Sequence, residues 1–114
     1  MSEAPPLVPS QKVYGTVYIV LDDFGKLGRV YRETDETAAD AETVIRNLLL
    51  GEYHRPVRVI AFNTDEGRSI DASREIAAAV IDIARERHCT IGRATLEFLE
   101  RYVDPASIPE SVRS

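Results

Sequence analysis

One cysteine, one methionine and no tryptophan occur among the 114 residues of this chain. Cys89 alone cannot form an internal disulfide, which excludes a disulfide-stapled scaffold and leaves no second thiol to resolve a redox intermediate. No apolar run approaches the roughly 18 residues that span a bilayer. The N-terminus has no basic start leading into an apolar stretch, so neither a membrane span nor a cleaved signal is expected, and the expected compartment is the cytoplasm. Positive charge is also scarce: 14 Lys and Arg stand against 19 Asp and Glu, a net charge of −5. Binding to a phosphate backbone needs clustered cations. Lys26, Arg29 and Arg32 come nearest to a cluster, but Asp22, Asp23, Glu33 and Asp35 bracket them. Nucleic acid is disfavoured as a partner.

What the chain does have is 44% hydrophobic residues and 29% charged ones, the balance of one globular domain with one core. Pro5, Pro6 and Pro9 mark residues 1–12 as a flexible leader, because proline neither propagates a helix nor joins a sheet interior. Val13 to Leu21 reads V-Y-G-T-V-Y-I-V-L, a strand by its β-branched and aromatic content. Gly25 and Gly28 then supply a hairpin turn, and Arg29 to Glu33 resumes an extended pattern. Thr37 with Asp40 resembles a capping box, with Thr34 and Asp35 as rival caps. Ala41, Val44, Ile45, Leu48 and Leu49 follow at helical spacing, and Gly51 suits the left-handed residue that ends a helix. Pro56 to Phe62 is a third strand, closed by the polar run Asn63 to Gly67. A second helix runs from Ser69 or Asp71 to about Arg87, with Ile76, Ala77, Val80, Ile83 and Ala84 as its apolar stripe. After Gly92 a short third helix carries Leu96, Phe98, Leu99, Tyr102 and Val103, and Asp104-Pro105 ends it.

The expected fold class is therefore α/β of the α+β type, a single layered domain over 13–104 with order β-β-α-β-α-α and a loose tail over 105–114. A hairpin makes strand two antiparallel to strand one, and the helical crossover returns strand three parallel to strand two. The right-handed crossover preference allows strand three beside strand one. The expectation is a small three-stranded mixed sheet of order 2-1-3, packed by helices.

Several blocks in fixed order carry a resemblance. Leu21-Asp22-Asp23-Phe24-Gly25 with Gly28-Arg29, then Arg32-Glu33-Thr34-Asp35, then Glu42 to Leu49 with Gly51 and Tyr53, then Pro56 to Thr64 with Glu66-Gly67, together resemble a family of short bacterial proteins of unknown function. The resemblance spans about Val17 to Glu75. It implies a shared fold and carries no activity, cofactor or site residue across.

Asp22 and Asp23 at a strand end invite a divalent-metal reading, since hard cations take carboxylate oxygens, and with it a metal-dependent hydrolase. Turn chemistry accounts for the same residues, and for Asn63, Asp65 and Glu66 at the end of strand three. In the expected topology the two acidic clusters lie at opposite ends of the sheet, too far apart for one ion. Gly25-Lys26-Leu27-Gly28 lacks the Lys-Ser/Thr and following helix of a phosphate loop and reads as a hairpin with a glycine bulge. Amides near Asn63 to Ser69, beside Arg68, offer a better anion site at the start of helix two. Cys89 follows a helix C-terminus, where the dipole opposes thiolate formation, so a structural thiol is preferred over a catalytic one. His54 and His88 make no zinc set. No catalytic residue and no cofactor are assigned.

The remaining signal is the second face of the sheet. With helices on one face, alternation leaves Tyr14, Tyr18, Ile60 and Phe62 beside Arg58 on the other, an interface composition. The rival expectation is that the third helix wraps round and covers this face. The sequence thus points to a small non-catalytic protein-interaction or regulatory module that self-associates through a Tyr-rich sheet face, with an unidentified protein as a further partner class and no membrane partner. The hydrolase using Asp22 and Asp23 is the alternative.

Overall fold

The computed structural model describes residues 16–33 and 40–113, with residues 32 and 33 described by their backbone. β1 (Thr16–Asp23), β2 (Arg29–Glu33), β3 (Pro56–Asn63) and β4 (Arg68–Asp71) form one sheet of order β2-β1-β3-β4. Every neighbouring pair is antiparallel. The expected order of the first three strands is found, and strand three does run antiparallel to strand one. Two corrections apply: the sheet has a fourth strand, and it is antiparallel throughout, so not mixed. β4 escapes a sequence reading because Arg68-Ser69-Ile70-Asp71 holds a single apolar residue, and all four are exposed. Its strand geometry comes from pairing with β3. Of the strand expected over 13–21, residues 13–15 lie outside the described residues, and the strand continues to Asp23.

α1 (Ala41–Leu50) occupies the expected position. Its N-cap is Asp40, whose carboxylate accepts from the Thr43 amide at 2.8 Å. Thr34, Asp35 and Thr37, the caps expected from sequence, lie outside the described residues. Gly51 ends α1 with φ 71°. α2 (Ser73–Arg87) begins later than expected because β4 and the turn after it use residues 68–72. The Ser73 hydroxyl accepts from the Val59 amide at 2.8 Å, and the Ala72 amide donates to Val59 O at 2.8 Å, so the start of α2 is pinned to the middle of β3. At the other end, His88 takes the left-handed conformation, φ 57°, that glycine usually supplies. α3 (Arg93–Tyr102) follows Gly92.

All three helices lie on one face of the sheet. Val20, Val59 and Ala61 from the strands share a single core cluster with Val44 and Leu48 of α1, Ile76, Val80 and Ala84 of α2, and Phe98 and Leu99 of α3. α3 therefore does not wrap onto the second face. It lies along α2 and reaches the sheet from the same side, where the Tyr102 hydroxyl donates to Val57 O. The tail is a further correction. Ile108 and Val112 are 4% and 1% exposed within the same core. The Ile91 amide donates to Val112 O at 2.7 Å, and Arg113 pairs with Glu100 at 3.1 Å. Two 3₁₀ turns, Pro105–Ser107 and Glu110–Val112, carry the chain there. The domain extends to Arg113 where the sequence reading stops it at 104.

Candidate functional site

Register assigns each strand residue to a face. Tyr18 pairs with Ala61 and Val20 with Val59, so Tyr18 lies on the helix-covered face and packs against the core. There, burial and then the carboxylates of Glu75 and Asp40 push its phenol above the ordinary tyrosine range. The expected place of Tyr18 on the second face is thus corrected, and Tyr14 lies outside the described residues. The second face carries Val17, Ile19 and Leu21 of β1 opposite Phe62, Ile60 and Arg58 of β3. Tyr31 of β2 stands beside Leu21, and Ser69 and Asp71 of β4 stand beside Phe62 and Ile60. Among the described residues no helix lies over this face.

Three ranks result, each crossing the strands. One runs Tyr31, Leu21, Arg58; the next runs Glu33, Ile19, Ile60, Asp71; the third runs Val17, Phe62, Ser69. Leu21 is only 7% exposed yet lies outside the main core cluster. Val17, Ile19, Ile60 and Phe62 are half-buried, and Tyr31 is exposed. The Arg58 guanidinium stands 3.7 Å from Asp71 across the diagonal between ranks, with both side chains about half exposed. Arg58, Ile60 and Phe62 are where the sequence puts them. Val17, Ile19, Leu21, Tyr31 and Asp71 belong to the same face and escape that reading, because alternation gives parity within a strand while pairing register sets the phase between strands. A bulge opposite Leu21 and Asp22 shifts the register once more.

Asp22 and Asp23 do not act together. Adjacent strand residues point to opposite faces. Asp22 is fully buried and accepts from the amides of His54 and Arg55 at 2.9 and 2.7 Å. It clamps the loop that leads into β3. Asp23 accepts from the Gly25 amide at 2.8 Å and pairs with Arg29 at 3.6 Å, and these contacts hold its carboxyl below the usual carboxylate range, the amide bond first. The other acidic group is distant. Asn63 pairs with Thr16, six residues along β1 from Asp22, which is roughly 20 Å of strand. Asn63 Oδ1 accepts from the Asp65 and Glu66 amides, both at 2.9 Å, and closes the β3-β4 hairpin. The anion site expected there is therefore corrected, since a strand and no helix follows this turn.

The Gly25–Leu27 segment is a 3₁₀ turn leading through Gly28, φ 95°, into β2. Beside it lies a shallow groove of about 580 Å³, walled by Phe24, His54 and Arg93 and floored by Tyr53 and Thr95. Phe24 and His54 stack with centroids 5.4 Å apart and planes 10° apart. The Thr95 hydroxyl donates to Leu48 O at 2.9 Å and the Tyr53 hydroxyl accepts from Asn47 Nδ2 at 3.5 Å, so both polar side-chain atoms in the floor have partners. Cys89 is partly buried against the core just past the C-terminus of α2, and its amide donates to Ala84 O at 2.9 Å. Among the described residues no three His, Cys, Asp or Glu side chains converge as a metal set. No helix in that range is long and apolar enough to cross a membrane.

No protein-family model, curated protein or solved structure matches this chain.

Proposed function

We propose that this chain is a non-catalytic protein-interaction module that self-associates through the open face of its sheet. One observation carries the reading: Val17, Ile19, Leu21, Ile60 and Phe62 form a contiguous apolar surface on the face opposite the helices. A surface of that kind, rimmed by Tyr31, Arg58 and Asp71, has the aromatic, aliphatic and arginine make-up of protein interfaces. A free Cys89 accords with a reducing, cytoplasmic setting. The order of sequence blocks supports kinship with the short bacterial family of unknown function. The hydrolase alternative draws no support from Asp22, whose carboxylate is occupied by two backbone amides.

Sedimentation velocity over a concentration series tests the reading. A concentration-dependent dimer that Ile60→Thr with Phe62→Thr weakens at least about tenfold, with the fold intact, is the expected result. A clean monomer at high micromolar concentration overturns it.

A further inference from the structure

Self-association through the open face leaves two ways for the copies to lie, and the charges on the face discriminate between them. Two sheets packed face to face keep their strands within roughly 30° of alignment, so a twofold axis in the interface runs either along the strands or across them. An axis along the strands, midway between β1 and β3, sets Arg58 of one copy over Leu21 of the other. It also sets Asp71 over position 33 of the other copy, a glutamate in register with Ile19, so residues of like charge meet at both edges while each chain's own Arg58–Asp71 pair is desolvated on leucine, which is costly. An axis across the strands, between the Leu21 rank and the Ile19 rank, instead lays each strand over its own counterpart with the ranks exchanged. Arg58 then comes over the partner's Ile60, beside the partner's Asp71, and Leu21 comes over the partner's Ile19.

We infer that a second copy of this chain docks on the open face about a twofold axis perpendicular to the strands, so that Arg58 of each copy meets Asp71 of the other. This inference rests on the self-association reading. The ion pair within one chain has room for it: the Arg58 side chain approaches Asp71 through Nε at 3.7 Å and forms no hydrogen bond with any described residue, so the outer edge of the guanidinium keeps its donors. Asp71 Oδ1 is taken by the Ser73 amide at 2.9 Å, while Oδ2 faces Arg58. In the dimer the four groups alternate in sign around the axis. Ile19, Leu21 and Ile60 from both copies fill the centre, the division of apolar core and charged rim that interfaces show.

Complementary charge reversal tests the arrangement. Arg58→Glu and Asp71→Arg are made separately, and dimerisation is followed by sedimentation velocity and native mass spectrometry. Each variant alone places like charges across the axis twice and should dimerise about tenfold more weakly than the parent chain. An equimolar mixture should recover a heterodimer of near-parent affinity. In it the carboxylate introduced at position 58 of one chain meets the guanidinium introduced at position 71 of the other, and the unaltered Arg58 and Asp71 meet at the second contact. The pair within each chain stays broken, so repair of the internal pair cannot imitate that rescue. A parent chain that dimerises while the mixture stays as weak as its components overturns this arrangement alone. A parent chain that never dimerises overturns the self-association reading with it. Asp71→Arg removes the acceptor of the Ser73 amide, so Asp71→Asn with Arg58→Gln provides a second route that keeps an oxygen there. The parent dimer should weaken with added salt and this neutral double variant should not; equal salt response in both overturns the inference.

Discussion

The two faces of the sheet are built from the same residue types and end in opposite circumstances. On the helix side Val20 and Val59 are fully buried. Even the polar groups there have fixed partners, Asp22 on two amides and Ser73 on the Val59 backbone. On the open side Ile19, Ile60 and Phe62 are only half-buried, and the charged groups meet in loose pairs such as Arg58 with Asp71 at 3.7 Å. Burial makes the covered face the source of folding free energy, since each apolar group removed from water adds to stability and each unmet polar group subtracts. The second face, over which no described helix lies, contributes less to folding.

Substitutions separate the two. Phe98→Ala, in the centre of the covered layer and 0% exposed, should cost about 3–5 kcal/mol in urea denaturation. Asp22→Ala should cost about 2–4 kcal/mol, because the amides of His54 and Arg55 lose a charged acceptor in a buried place. A loss no larger than that of an average surface substitution would show that Asp22 does not clamp the loop. On the open face, Ile60→Thr with Phe62→Thr should change the stability of the isolated chain by under about 1 kcal/mol per site, since threonine keeps strand propensity. If this pair unfolds the chain, the open face is part of the core and the contrast collapses. His88→Gly should raise stability by about 0.5–1 kcal/mol, through relief of the left-handed backbone at φ 57°. The smallest effect concerns pH. Tyr18 titrates above the ordinary tyrosine value of 10.0 in the folded chain, so its contribution is fully present below that value and is lost as pH rises through the higher folded one. Tyr18→Phe should flatten the alkaline limb of the stability profile, a change that a tyrosine on the open face would not produce.

Legibility from sequence followed the strength of local signals. α1, α2 and α3 were readable because apolar residues recur at helical spacing over ten residues or more and because Gly51 and Asp104-Pro105 mark ends. β1 and β3 were readable from their β-branched content. β4 was not, since Arg68-Ser69-Ile70-Asp71 has neither alternation nor apolar bulk and is a strand because β3 lies beside it. Ile108 and Val112 were missed for a related reason: two apolar residues among prolines and serines show no period, and only the surface already formed by α2, α3 and Ile91 makes their burial favourable. Within the candidate site, Arg58, Ile60 and Phe62 were placed correctly because one strand's alternation is a local property. Tyr18 was misplaced because both parities of β1 are apolar, so nothing in that strand says which one faces the helices.

The lack of a second cysteine and of any long apolar run, together with local periodicity and turn chemistry, by itself determined a chain with one unstapled core, three helices and three of its strands. The tertiary structure decided the fourth strand, the docking of the tail, the shared side of all three helices and the face on which Tyr18 lies. Each of these depends on register and packing between segments far apart in the chain, which no local pattern encodes.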